Sequence, residues 1–169
     1  HINDPVTPAD LDHLRTAEDR RALKDRALGL LAHRPRGRAE LQRRLARGTK
    51  AHPPPPPDLV RVVLDELARE GLVDDTAFAE YWVEQRDRFR PKGSRALRAE
   101  LAQQGVARAD AEAAVAPDRD LERALAAGRP RAQRLAQQPG MDARAFRDHL
   151  GPFLQRRGFG YGVVAQVTR

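Results

Sequence analysis

The side chains with the most evident chemical potential in this sequence are arginines, and they are clustered. Arg34, Arg36, Arg38, Arg43, Arg44 and Arg47 gather in one stretch, and Arg86, Arg88, Arg90, Lys92, Arg95 and Arg98 in a second. Both clusters straddle the same kind of turn: Arg34-Pro35-Arg36-Gly37-Arg38 in the first, Arg90-Pro91-Lys92-Gly93-Ser94 in the second. A cationic turn that opens a helix suits a phosphate or an acidic surface, because the free N–H groups of a first helical turn already favour an anion. Arg144, Arg147, Arg156 and Arg157 extend the basic set toward the end of the chain. A solvated helix face held by Glu-Arg pairs, such as Glu40 with Arg44, accounts for some of these residues. It does not account for the same basic turn recurring in the same place.

Other chemistry finds little support. Asp74 and Asp75 are adjacent acids, but no His or further acid stands at ligand spacing around them, so they read as helix-capping residues. His1, His13, His33, His52 and His149 are scattered, and no Ser/His/Asp arrangement can be defended. Gly158-Phe159-Gly160-Tyr161-Gly162 lacks the Lys-Ser/Thr ending of a phosphate-binding loop and reads as a turn between helices. Phe78, Tyr81, Trp82 and Phe89 could stack on bases. Their one-turn spacing points to core packing instead, with Tyr81 off the main stripe. No catalytic, metal or cofactor site is expected.

The elements that must carry these turns are helical. The 169 residues are 40% hydrophobic but only 5% aromatic, so burial must come from Leu, Val and Ala stripes in thin helical layers. Charged residues make up 33%, and 31 basic against 24 acidic side chains leave a net charge of +7, which suits a polyanionic partner. Arg-rich and Ala-rich usage also follows from a GC-biased genome, so the clustering carries more weight than the total. Cysteine is absent, which removes disulfides, thiolate zinc sites and cysteine nucleophiles from consideration. No apolar run is long enough to cross a bilayer, and a cytoplasmic protein is expected. Because the sequence starts at His1 rather than Met, a preceding N-terminal segment is also expected.

Internal repetition decides the architecture. After the first basic turn come Leu41 and Leu45, one turn apart, and then Gly48; after the second come Leu97, Leu101 and Gly105. A weaker third copy has Leu150, Leu154 and Gly158 without the preceding basic turn. Each copy is flanked by helical periodicity. Upstream stand Leu23, Ala27, Leu30 and Leu31; then Phe78, Ala79, Trp82 and Val83; then Leu121, Ala124 and Leu125. Downstream stand Leu59, Val60, Val63, Leu64 and Leu67; then Ala109, Ala113 and Val115; then Val163, Val164 and Val167. The fold class is therefore all-α, with three tandem three-helix, helix-turn-helix-like repeats stacked into an elongated, curved monomer. The expected segments are an N-terminal extension over 1–19, repeat 1 over 20–72, repeat 2 over 73–117 and repeat 3 over 118–169.

Gly48, Gly71, Gly105 and Gly158 stand where helix C-caps are needed. Asp58, Asp74 or Asp75, Ser94 and Asp118 stand where N-caps are needed. Thr7-Pro8-Ala9-Asp10 resembles a capping box. Thr49 to Pro57, ending in five prolines, should be an extended, exposed insertion rather than helix. Gly128-Arg129-Pro130 should interrupt the first helix of repeat 3.

Gly71-Leu72-Val73-Asp74-Asp75, followed by Phe78-Ala79 and then Trp82, closely resembles the signature of the RecX family, regulators of the RecA recombinase. Gly93, Ser94, Leu97, Glu100, Leu101, Gln104, Gly105 and Val106 resemble the family's next helix, and Arg156-Arg157-Gly158-Phe159 with Tyr161 its end. The resemblance runs from about Ala22 to Val167. Its departures are the proline insertion and the third repeat's first helix. The resemblance implies a non-catalytic modulator, acting as an inhibitor, that lies in the groove of the RecA filament on single-stranded DNA. Filament growth, ATP hydrolysis and strand exchange in recombinational repair and the SOS response would be its targets. Contact would fall to Arg34, Arg36, Arg38, Arg86, Arg90, Lys92, Arg95, Arg98, Arg144, Arg147, Arg156 and Arg157, on exposed turns and faces. Leu41, Leu45, Asp75, Phe78, Trp82, Leu97, Leu101, Gly105, Leu150, Leu154, Gly158 and Phe159 would anchor the repeats. A helix-turn-helix protein acting directly on DNA is the alternative, weakened by the lack of outward Asn, Gln and Arg side chains set to read base edges. A nuclease would need a carboxylate cluster that the sequence does not offer.

Overall fold

The computed structural model describes residues 8–49 and 53–169, with side chains from residue 15 onward. The described residues form nine α-helices and one 3-10 turn, with no strand. The chain divides into two compact units between Asp74 and Asp75.

The first unit contains α1 (Pro8–Leu31), α2 (Arg38–Leu45) and α3 (Pro57–Arg69). In α3, Val60, Val63, Leu64 and Leu67 recur at the spacing of one helical face, and all four are buried. They close over Leu41 and Leu45 of α2 and Leu23 and Ala27 of α1. At the rim of this core, Arg20 and Lys24 of α1 both reach Glu66 of α3, the lysine at 2.6 Å. These two cations hold the Glu66 carboxyl down to about 2. Pro53 to Pro56 lie outside any helix, but Pro57 opens α3, where a missing amide hydrogen costs nothing. The non-helical stretch expected through Pro57 thus stops one residue earlier. Residues 50–52 of that stretch, Thr7 of the capping box and His1, His13 and His52 lie outside the residues whose side chains are described.

The second unit holds two further triplets. One is α4 (Asp75–Phe89), α5 (Ser94–Gln104) and α6 (Arg108–Ala114). The 3-10 turn Pro117–Arg119 leads to the other: α7 (Asp120–Ala136), α8 (Ala143–Arg156) and α9 (Tyr161–Val167). Phe78, Val83, Leu97, Leu101 and Val115 are among the core of the first, and Ala124, Leu150, Leu154, Phe159 and Val164 among that of the second. Trp82 packs half-buried against the edge of its core, its ring 5.8 Å from that of Phe78. Several expected core positions instead face water: Phe89 is 66% exposed, Leu121 and Leu125 are exposed, and Ala111 replaces Ala109 and Ala113 on the buried face of α6.

Helices α3, α5 and α8 end in the same motif. Gly71, Gly105 and Gly158 adopt left-handed φ values of 71°, 85° and 87°. The next residue's amide reaches back to the carbonyl five positions earlier, as Val106 does to Leu101 at 3.0 Å. Gly48 has no such role, because α2 already ends at Leu45 with Ala46 as its cap. The N-caps also differ from expectation. Pro56, Gly93 and Ala116 precede α3, α5 and the 3-10 turn, so Asp58, Ser94 and Asp118 fall inside the first turns. Asp142, which the sequence did not single out, caps α8 by accepting from the Ala145 amide at 2.7 Å. Helix α7 runs unbroken through Gly128-Arg129-Pro130, where an interruption was expected. A mid-helix proline costs about 3 kcal/mol in isolation. Here Ala127, Gly128 and Leu135 are buried on either side of it, so tertiary packing holds the helix together.

The two triplets of the second unit meet backbone to backbone. The Gly93 amide donates to the Arg157 carbonyl at 2.9 Å, and a Cβ added to Gly93 would lie 2.3 Å from the Gly158 oxygen. Gly93→Ala should therefore destabilise the protein by about 2 kcal/mol or more, a clear drop in thermal midpoint. Gly160→Ala, where a Cβ meets nothing within 4 Å, is the matched control and should leave the midpoint within a degree or two.

Candidate functional site

The carboxylates that face the basic turns decide which cations are available. In the first unit the acceptor is Glu40, on the first turn of α2 and itself buried. It takes hydrogen bonds from Arg36 at 2.5 Å, from Arg34 at 2.8 Å and from Arg44 at 3.0 Å. Arg36, only 8% exposed, also donates from Nε to the Leu30 carbonyl at 2.8 Å. That bond ties the turn to the end of α1. Arg38 pairs with Asp65 of α3. The three cations expected on an exposed track are thus occupied, and Arg36 is enclosed.

The second basic turn is held in the same manner. Glu100, two turns into α5, accepts from Lys92, from Arg86 Nε at 2.7 Å and from Trp82 Nε1 at 3.0 Å. The Arg86 guanidinium also lies over the Trp82 ring, 4.6 Å from its centroid. Burial pushes the Glu40 and Glu100 carboxyls upward. The hydrogen bonds and charges of Arg34 and Arg36 on one, and of Lys92 and Arg86 with Trp82 on the other, outweigh it and leave both below the usual carboxylate range.

The start of α5 is not an open anion site either. Asp120, from the start of α7, accepts from the Ser94 amide at 3.0 Å and from its hydroxyl at 2.6 Å. It occupies the place where a phosphate was expected. Arg123, almost wholly enclosed, chelates Asp87 of α4 at 2.8 and 3.2 Å and reaches Asp120 at 3.4 Å. Arg157 is similarly committed: its carbonyl takes the Gly93 amide, its Nη1 donates to the Pro91 carbonyl at 3.3 Å, and it stacks 4.7 Å from the Phe153 centroid. Arg98 is half-buried, its Nη2 3.5 Å from the Val115 carbonyl. Arg144 stands 3.9 Å from Asp148.

Arg90, Arg95, Arg147 and Arg156 remain exposed, with neither an ion pair nor a side-chain hydrogen bond among the described residues. The contact of Gly93 with Arg157 and Gly158 brings together the turns that carry Arg90, Arg95 and Arg156. These arginines therefore sit on two abutting turns, one from each triplet of the second unit. Of the expected anchors, Leu41, Leu45, Phe78, Leu97, Leu101, Leu150, Leu154 and Phe159 are buried, Gly105 and Gly158 close helices, and Asp75 opens α4. The sequence reading missed the clasp of Asp87, Asp120 and Arg123, whose members lie up to 36 residues apart. For Glu40 a signal existed, since Arg36 and Arg44 stand four residues to either side of it. Among the described residues no group of His, Asp and Glu could hold a metal ion, and no helix is long and apolar enough to cross a membrane.

Fold and surface together define an all-helical protein of repeated three-helix units with exposed arginines at and beside its turns. Residues 74–115, close to the span of α4 to α6, match the model of the RecX second three-helix domain. The chain is 37% identical to "Regulatory protein RecX" of Corynebacterium efficiens over 162 residues, 92% of this chain and 74% of that protein. It is 38% identical to the protein of the same name from Mycobacterium avium over 164 residues, 90% of this chain and 87% of that one. The same fold occurs in the crystal structure of RecX from Lactobacillus salivarius, with a TM-score of 0.71 and 22% identity over 89% of this chain and 95% of that one. A second crystal structure of regulatory protein RecX gives 0.78 and 21% over 98% and 79%. The chain belongs to the RecX family of regulatory proteins.

Depressed carboxyl pKa values have a signed consequence. A Glu that titrates lower in the folded than in the unfolded state adds stability above the unfolded value of about 4.3, and that contribution is lost as pH falls through the folded value. Carboxyl-carbon NMR should place the Glu40 and Glu100 midpoints below about 4.3. Lys92→Met should move the Glu100 midpoint upward, since burial then meets less opposition.

Proposed function

We propose that this protein is a non-catalytic, cytoplasmic modulator of the RecA recombinase that acts as an inhibitor. It binds along the groove of the RecA filament on single-stranded DNA and restrains filament growth, ATP hydrolysis and strand exchange during recombinational repair and the SOS response. The observation that carries this reading is the pair of abutting turns with Arg90, Arg95 and Arg156 exposed and unpaired, on a chain whose relatives bear the name of regulatory protein RecX. Exposed arginines without internal partners suit phosphates or acidic side chains, and they remain free to exchange partners as a filament turns over. Several weak contacts, each feeble alone, add within one chain.

Internal pairing favours some of the cations over others for this role. Arg34, Arg36, Arg86 and Lys92 are spent on the enclosed carboxylates of Glu40 and Glu100, so reversing them would damage the fold before it reported on binding, and Arg38 is paired with Asp65 at the surface. The informative series is Arg90→Glu, then Arg90→Glu with Arg95→Glu, then all three with Arg156→Glu. Inhibition of RecA's DNA-dependent ATPase should decline stepwise along it and become less sensitive to salt, while the helical spectrum and melting temperature stay near wild type. A triple variant that is folded and inhibits as wild type does would remove these arginines from the interface.

A further inference from the structure

Helix α8 carries Gly151-Pro152 at its middle, two residues that cost about 1 and 3 kcal/mol in a helix interior. What they produce is a groove. Gly151 is buried, and its missing Cβ would stand 3.7 Å from Val164 Cγ1, so α9 lies close against α8 there. Pro152 is exposed and has no amide hydrogen to give the Asp148 carbonyl, which leaves a backbone acceptor without its helical donor. Arg147, Gly151, Pro152, Gln155, Tyr161 and Val164 are among the residues that line the groove. It is open, with a volume of about 530 Å³, the size of many small-ligand sites.

Tyr161 is the most exposed large apolar side chain among the described residues, at 81%. It is the first residue of α9, which is held in place by buried Val164 and by the Thr168 hydroxyl donating to the Val164 carbonyl at 2.9 Å. The ring contributes little to the core yet stands on a firm support. Arg147, on the facing wall, is exposed and has no ion pair or side-chain hydrogen bond among the described residues. The acid on that wall, Asp148, has Arg144 3.9 Å away.

We propose that the groove between α8 and α9 binds an unpaired nucleotide of a single strand, with its base stacked on Tyr161 and its phosphate on Arg147. A planar, electron-rich face beside a cation is the combination that single-strand binders use without regard to sequence. Gln155, exposed on the same wall, supplies a polar partner for a base edge. Arg169 lines the groove as well as Arg147, and it is the exposed flat ring beside these cations that favours a base with its phosphate over a phosphopeptide. The inference deepens the reading above, in which the protein meets single-stranded DNA, by making that contact direct and placing it in the last triplet.

The test uses the full chain without RecA. Fluorescence anisotropy follows its binding to a labelled oligothymidylate and to an abasic strand of the same length and charge. Tyr161→Ala should weaken oligothymidylate binding about tenfold, and Tyr161→Phe should not. On the abasic strand, wild type and Tyr161→Ala should bind equally. Arg147→Gln should reduce the salt slope by roughly one ion on either strand. Tyr161→Ala should not change the melting temperature, because the ring is exposed. Equal binding of wild type and Tyr161→Ala to oligothymidylate, or equal affinity of wild type for both strands, overturns the proposal, as does the absence of any binding at low salt. Inhibition of the RecA ATPase is read separately. Inhibition without Tyr161-dependent binding sinks the groove and leaves the regulatory reading standing; Tyr161-dependent binding without inhibition does the reverse.

Discussion

Arg36 is 8% exposed, and a guanidinium buried to that extent is costly unless it is paired and hydrogen-bonded, so Glu40 must stand where it does. That requirement organises the first unit. The same guanidinium bonds the last turn of α1 through the Leu30 carbonyl, which fixes the direction in which α2 leaves the turn. Leu41 and Leu45 then face Leu23, Ala27 and the apolar stripe of α3. A flexible arginine turn would permit many approaches of α2; one pinned to a buried carboxylate permits few. Glu100 does the equivalent for α4 and α5, with Trp82 as a third donor. Between the two triplets of the second unit, Asp87, Asp120 and Arg123 form a polar clasp beside the glycine contact of Gly93 with Gly158.

This constraint sorts the basic residues by use. A cation that meets a buried carboxylate is part of the fold, and removing either partner leaves an uncompensated charge. A cation that meets only water is free to find a phosphate or an acid on another molecule. The duplicated turn therefore serves first as a device for orienting helices. Exposed cations with no internal partner among the described residues stand at its margins, Arg90 and Arg95, and on Arg156 of the neighbouring turn.

Much of this was legible in the sequence, because it depends on local periodicity. Val60, Val63, Leu64 and Leu67 can only be one face of a helix, and Leu97, Leu101 and Gly105 mark a helix and its end. The order of these elements carried the family resemblance. What was not legible depends on contacts between residues distant in the chain. Nothing near Ser94 indicates that Asp120 will cap it, so Ser94 read as a cap itself and the turn as an open anion site. Pro130 read as a break because local propensity opposes it, whereas burial on both sides keeps α7 continuous. Leu121 and Leu125 have core spacing but face water, and Arg123, which reads as surface, is enclosed by two carboxylates.

The claim on which the account turns is that the basic turn is a structural clasp, and a double-mutant cycle between Arg36 and Glu40 measures it. Urea unfolding of the full chain would be followed for wild type, Arg36→Met, Glu40→Gln and the double variant. Each single change should destabilise by about 3 kcal/mol, as for a broken buried pair. The double variant should be less destabilised than the sum of the two by about 1–3 kcal/mol, the coupling expected of groups in direct contact. Two single variants within about 0.5 kcal/mol of wild type, with strictly additive effects, would show that Arg36 is an ordinary surface arginine and that the turn is held by something else.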